Sequence, residues 1–243
     1  MNYIESVTDF FKSPKWMMNM LFAGICCFIP IVGPMVVLGW LITGFWCRPN
    51  GTPESFPEFD FSNFVKWLER GLWPMLTALV TSFALYFVFM IPMIIVMTVL
   101  GAGAGNNHNS GGGLMAALMA LVMLGMELLM ILAMVFLMKP IMLKATLTQD
   151  FAKAFDFAFI KRFVSLTWIE LIVSTLFLGV VSFALMLCGM IAFCVGILLV
   201  PGVIYFAMAH MDRQLYNLYL SRGGEPIELS PKLNDTPPGL PGL

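Results

Sequence analysis

Four long apolar stretches dominate the chain: Met17–Cys47 (31 residues), Gly71–Leu100 (30), Leu114–Met138 (25) and Leu171–Ala209 (39). About 20 apolar residues in a helix cross the hydrocarbon core of a bilayer. On that measure the second and third stretches are one span each. The fourth, with its helix starting near Phe163, is long enough for two, divided near Cys188-Gly189. The first stretch differs, because Ile29-Pro30-Ile31-Val32-Gly33-Pro34 stands at its centre. Two prolines so close together do not continue a straight helix, so the stretch is either a kinked fifth span or a short hairpin that returns to its own side.

Three amphipathic segments lie outside these stretches. Tyr3, Ile4, Val7, Phe10 and Phe11 share a face opposite Glu5, Asp9 and Lys12. Phe61, Phe64, Val65, Leu68 and Leu72 keep helical spacing, and Phe151, Ala154, Phe155 and Ala158 repeat the arrangement. A helix with one phenylalanine-rich and one charged face suits the membrane interface. Each segment also holds an Asp-Phe pair (Asp9-Phe10, Asp60-Phe61, Asp150-Phe151), which suggests a threefold module of interfacial helix and hydrophobic pair. The predicted fold is therefore all-α. It is a polytopic membrane bundle of four full spans plus the proline-broken hairpin or fifth span, with three interfacial helices. Residues 1–220 form one membrane-embedded domain, and residues 221–243, rich in proline and glycine, form a disordered cytoplasmic tail.

Composition agrees with lipid as the main solvent. The chain has 243 residues, 60% hydrophobic and 11% charged, where a soluble domain carries about 25% charged residues. The 13 basic and 14 acidic side chains nearly cancel, which excludes the cationic surface of a nucleic-acid binder. Every Lys and Arg lies in the N-terminal segment, in residues 48–70, in 139–162 or after 212, and the Gly101–Gly113 connector has none. Basic flanks collect on the cytoplasmic side, so the connector faces outward. With the first stretch as a hairpin, all basic residues lie inside and both termini are cytoplasmic. That makes the hairpin the preferred reading. Glu5 and Asp9 beside a long apolar stretch argue against a cleavable signal peptide. The Asn50-Gly51-Thr52 sequon, on the cytoplasmic side, is idle. The five cysteines have no CxxC pair and read as small buried apolar residues.

A resemblance adds to this picture. Ile29-Pro30-Ile31-Val32-Gly33-Pro34 is followed by Gly39, Gly51, Phe56-Pro57-Glu58-Phe59-Asp60 and Gly71-Leu72. Met90-Ile91-Pro92 comes next, and Val200-Pro201-Gly202 precedes Tyr205, His210 and Gln214. In this order the motifs resemble the prokaryotic multi-pass membrane family known as domain of unknown function 4013, over roughly residues 10–220. The resemblance implies a polytopic helical protein of the plasma (inner) membrane and supplies no reaction or functional residues.

Candidate chemistry is sparse. Glu127 sits near the midpoint of the third stretch, where a charge costs on the order of 3 kcal/mol or more. No Lys or Arg lies in any stretch to neutralise it. It is either a proton or cation relay, with Thr77, Thr81 or Ser82 as neighbours, or a neutral acid that hydrogen-bonds between helices or to a partner subunit. Met115, Met119, Met123, Met126, Met130, Met134 and Met138 recur every three or four residues, and Met90, Met93 and Met97 form a matching stripe on the preceding span. Thioethers suit soft metals such as Cu(I), with His108 nearby in the connector, but methionine also fills irregular helix seams. The candidate residues are thus Glu127, Met90, Met93, Met97, Met115, Met119 and Met123, with no catalytic residue, metal site or cofactor assigned. His210, Asp212 and Arg213 lie close in sequence, but without a further carboxylate or histidine they make no catalytic set. Phosphate-loop, metalloprotease and serine-hydrolase motifs are absent from the sequence. The expected function is non-enzymatic: a scaffold or subunit of a larger membrane assembly, with the bilayer, other membrane subunits or further copies of the chain as partners. The alternative is a transporter or channel for a small hydrophobic molecule, proton or soft metal, using Glu127 and the methionine seam.

Overall fold

The computed structural model describes residues 1–47, 53–105, 112–191 and 195–234. The sequon at Asn50, His108 and residues 235–243 of the tail lie outside them. Among the described residues regular structure is helical throughout: α1 (Tyr3–Thr8), α2 (Trp16–Cys27), α3 (Val32–Phe45), α4 (Phe64–Gly105), α5 (Gly112–Thr148), α6 (Phe151–Ala154), α7 (Phe157–Ile191) and α8 (Val195–Ser221), with short 3-10 turns between. The chain divides into two compact units. One comprises Met1–Thr77 with Pro140–Leu243, and the other is Ala78–Lys139, the distal parts of α4 and α5.

The proline-broken stretch is a helical hairpin. At 1.5 Å per residue α2 and α3, of 12 and 14 residues, are about 18 and 21 Å long, short of a ~30 Å hydrocarbon core. The turn between them closes around Ile31, whose φ of 65° and ψ of −58° let the Val32 N–H donate to the Pro30 carbonyl at 2.7 Å. This is the strained, positive-φ γ-turn, uncommon for any residue and more so for a β-branched one. Gly33 then permits the reversal, since a Cβ there would lie 1.6 Å from the Cys26 carbonyl oxygen.

α3 is the centre of the first unit. Every residue from Met35 to Phe45 is buried, and Val36, Val37 and Trp40 are fully so. Its crossing with α4 is a backbone-to-backbone contact. A Cβ on Gly39 would lie 1.8 Å from the Trp67 carbonyl oxygen, and one on Gly71 would lie 1.8 Å from that of Met35. The segment Phe56–Asp60 closes the same core. Trp40 Nε1 donates to the Pro57 carbonyl (2.8 Å), Phe56 and Phe59 pack edge-on against the Trp40 ring, and the Phe59 N–H donates to the buried Asn19 side chain (2.8 Å).

The amphipathic segments depart from the expectation in an instructive way. Residues 61–72 are not a separate interfacial helix: after a 3-10 turn at Phe61–Asn63 they run directly into α4. Residues 151–158 give the single turn α6 and then the start of α7. Two of the Asp-Phe pairs are helix starts, because the Asp60 side chain accepts from the Ser62 N–H and that of Asp150 from Ala152 and Lys153. Asp9 instead follows α1 and pairs with Lys12 at 2.7 Å. The shared dipeptide thus marks capping at two sites and a salt bridge at the third.

Phe61–Val99, Ala116–Thr148 and Phe157–Ile191 are long and apolar enough to cross a membrane. The fourth long stretch divides between α7 and α8, a few residues beyond the expected break, and Gly196 packs directly on Gly189. α8 is apolar from Val195 to Ala209 and then polar. Among the described residues, therefore, three helices rather than four meet the length and composition of a full span.

The tail also differs from its composition. Arg222–Asn234 lies along the first unit: the Glu225 and Ile227 N–H groups donate to the Tyr219 and Tyr216 hydroxyls (3.1 and 2.7 Å), and Ser230 N–H donates to the Leu147 carbonyl (2.8 Å). Leu233, in a 3-10 turn, is 3% exposed. Partners on α5 and α8 satisfy the backbone that prolines leave without regular structure.

Candidate functional site

In the second unit Glu127 is exposed on α5 and has no hydrogen bond or ion pair among the described residues. Of the hydroxyls expected near it, Thr77 is engaged elsewhere, Thr81 is turned inward and Ser82 is half-buried. Thr77 Oγ1 donates back to its own helix at the Trp73 and Pro74 carbonyls, and Thr81 is buried with no partner for its hydroxyl among the described residues. Met90, Met93 and Met97 on α4, and Met119 and Met123 on α5, are half-buried, whereas Ile91, Ile94, Ile95, Leu121 and Leu124 between them are exposed. The side chain of Met115 lies outside the described residues. The methionines are therefore more covered than the residues between them, and Glu127, one turn from Met123 and Met130, is left exposed at the edge of their face. Among the described residues no three His, Cys, Asp or Glu side chains are grouped to hold a metal ion.

The first unit gathers the polar groups. An open cavity of about 560 Å³ lies between the end of α5, the start of α7 and the tail, with Lys144, Lys153, Asp156, Arg162, Tyr219 and Glu225 on its walls. Its charges are largely satisfied within the molecule. Lys144 donates to Asp156 at 2.5 Å, and Arg162 to Glu225 at 2.6 Å and to the Gly223 carbonyl at 2.7 Å. Asp156 also caps α7 by accepting from the Ala158 and Phe159 N–H groups (3.0 and 3.1 Å). The Lys144 ammonium, helped by those N–H groups, holds the Asp156 carboxyl below its ordinary value. A lowered folded value means that this contribution is complete above the unfolded carboxylate's value of about 3.9 and lost as pH falls through the folded value. Detergent-solubilised protein is expected to lose thermal stability on acidification below about pH 4, and Asp156→Asn to lose less over that interval while starting lower at pH 7. Parallel melting curves for the two proteins would contradict this.

A second cluster is one that sequence reasoning missed. His210 Nε2 lies 3.9 Å from the Asp9 carboxylate, which comes from the opposite end of the chain and also pairs with Lys12. The imidazole stacks on Phe45 with ring centres 5.5 Å apart, and together with Phe56, Phe206 and Arg213 it borders a cavity of about 100 Å³. Burial pushes His210 below its ordinary value, with Asp9 opposing the shift. His210 Nδ1 has no hydrogen-bond partner among the described residues. The described walls of this cavity are Asp9, Gly44, Phe45, Pro53, Phe56, Phe206, His210 and Arg213. Glu170, the other acid near a span, is held by a two-point bond from Arg222 (2.9 and 2.5 Å).

The family model for a protein of unknown function, DUF4013, matches residues 22–209. The chain belongs to this family. The matched region contains α3, both glycines of its crossing with α4, and the Phe56–Asp60 segment, which close the core of the first unit. No curated protein and no solved structure matches the chain.

Proposed function

We propose that the protein is a non-enzymatic scaffold or subunit of a larger membrane assembly, multi-pass in the plasma membrane of a prokaryote, with both termini cytoplasmic. The observation that carries this reading is the placement of Glu127. It is the only acid in the second unit, and it stands on the exposed side of an apolar helix with no partner in its own chain among the described residues. A polar group facing lipid is costly, and contact with another membrane segment relieves the cost. The orientation follows from charge: of the 13 basic residues, all but Lys139 fall in the first unit, and Lys139 is the last residue of the second. A transport path through the methionine seam gains less support, because Glu127 is exposed where the neighbouring methionines are half-buried.

The test is recovery of the tagged chain from native membranes in mild detergent at its natural expression level. A particle larger than one chain plus its detergent is expected. A lone monomer would sink the reading.

A further inference from the structure

Resting on the multi-pass reading and going beyond it, we infer that the α2–α3 hairpin is seated in lipid. It lies among the acyl chains of the leaflet on the side of the termini and stops short of the other leaflet. A hairpin that returns to its own side could lie in water, on protein or in lipid, and its surface separates these cases. Met17, Met18, Leu21, Ile25 and Phe28 recur along one side of α2 and its end, and Ile29, Ile31 and Val32 continue that surface around the turn. These eight side chains are between 37% and 64% exposed, and residues 16–47 contain no Asp, Glu, Lys, Arg or His. A turn in water favours Gly, Asn, Asp or Ser, which accept positive φ or hydrogen-bond their own backbone. Here an isoleucine holds the positive-φ position, with its side chain more than half exposed at the apex. Contacts between membrane helices use small or polar residues, and the eight side chains include neither. Charge resumes at the base of α2, where Lys15 pairs with Glu58 at 2.6 Å and both side chains are more than half exposed. Trp16 stands beside that pair, a boundary position that suits an amphipathic ring.

Two neighbouring helices of the first unit act as rulers for the depth of the hairpin. Along α4, Gly39 meets the Trp67 carbonyl and Gly71 meets that of Met35, so α3 and α4 run antiparallel for about a turn. Gly71 opens the uncharged run of α4 directly after Arg70. Ile31 lies four residues beyond Met35, at most about 6 Å further in. Along α8, Asp9 meets His210 just past the apolar part, whereas Met20 and Ala23 of α2 pack against Gly202. Gly202 lies eight residues before His210, at most about 12 Å into that part. Both rulers put the exposed face of α2 and its turn where α4 and α8 are themselves uncharged. Both also stop short of the ~15 Å that one leaflet of a ~30 Å hydrocarbon core provides. An uncharged surface with no polar group to pair is matched there by acyl chains.

The experiment uses the full, unsubstituted chain in phosphatidylethanolamine–phosphatidylglycerol vesicles. These carry a trace of phosphatidylcholine with a photoreactive diazirine on its acyl chain, placed either near the ester or at the chain end, and adducts are mapped by mass spectrometry. Residues 16–32 are expected to take at least about tenfold more adduct than residues 222–232 of the tail, and more from the probe near the ester than from the chain-end probe. Phe83 and Phe87, exposed on α4 about 18 Å or more beyond Gly71, are expected to show the reverse order and so to report the span itself. An Ile31→Cys variant supplies the second measurement. Its thiol is expected to stay unreacted with a membrane-impermeant maleimide presented from either side of the membrane. Adduct on Phe83 and Phe87 with none above the level of the tail on residues 16–32 overturns the seated hairpin and leaves the multi-pass reading standing. Adduct on neither overturns both. Residues 16–32 labelled mainly from the chain end contradict the shallow depth. Reaction of Ile31→Cys from the side of the termini puts the turn in water, and reaction from the opposite side makes the hairpin a crossing, so either result sinks the proposal.

Discussion

Gly39→Ala is expected to cost about 3 kcal/mol or more and to lower the melting temperature in detergent by roughly 6–12 °C. The added methyl would sit 1.8 Å from the Trp67 carbonyl oxygen, and that atom belongs to helix backbone, so no rotamer change relieves the overlap. α3 and α4 must separate, and the separation loosens Trp40, whose ring packs on Phe56 and Phe59 and whose N–H is held by Pro57. Ala is otherwise the better helix former by about 1 kcal/mol, so the direction of the change reports the crossing alone. Gly125→Ala and Gly179→Ala, where a Cβ meets nothing within 4 Å, are the matched controls and are expected to be neutral or slightly stabilising. Gly39→Ala and Gly71→Ala act on one crossing, and their double variant is expected to lose less than the sum of the singles. A Gly39→Ala protein that melts with the wild type would remove the close crossing from the account of this fold.

The contrast among these glycines shows what the sequence exposes and what it hides. The long helices and the proline break at Ile29–Pro34 are local matters of periodicity and proline and are legible along the chain, whereas the Asp-Phe pairs at Asp60 and Asp150 read as a repeat and are in fact side-chain caps. Which side of an apolar helix faces inward is not. α5 is apolar almost all round, so it has little amphipathic direction to read, and the outward position of Glu127 could not be inferred from its neighbours. Distant pairings are hidden for another reason. Asp9 reaches His210, and Arg162 holds Glu225, across separations that no spacing rule covers. For Arg222–Asn234, proline and glycine content hides the packing that the structure shows. That composition says the segment makes few hydrogen bonds with itself, and is silent about Tyr216, Tyr219 and the Leu147 carbonyl waiting on other helices.

The same tail gives the second large expected effect. Arg70 is 4% exposed, far below what a guanidinium tolerates without close partners. Its Nη1 donates to Thr43 Oγ1 on α3 (2.9 Å), its Nη2 to the Lys232 carbonyl in the tail (3.0 Å), and its own carbonyl accepts from the Gln149 side chain at the end of α5 (3.1 Å). Hydrogen bonds to a charged group contribute about 1.5–3 kcal/mol each, so Arg70→Met is expected to weaken tail docking by at least about 2 kcal/mol. Cleavage after Lys232 by a lysine-specific protease should then speed up by about 30-fold or more, because the rate follows the population of the released tail. Glu69→Gln removes only the Lys232–Glu69 pair, whose side chains are both more than half exposed, and is expected to change that rate by less than about fivefold. Cleavage after Lys12, Lys15 and Lys66 separates local release from general unfolding, since only unfolding accelerates all four sites. If Arg70→Met leaves cleavage after Lys232 at the wild-type rate, the buried guanidinium is not what fastens the tail to the base of α4, and the contacts to Tyr216, Tyr219, the Leu147 carbonyl and Arg162 would have to hold it.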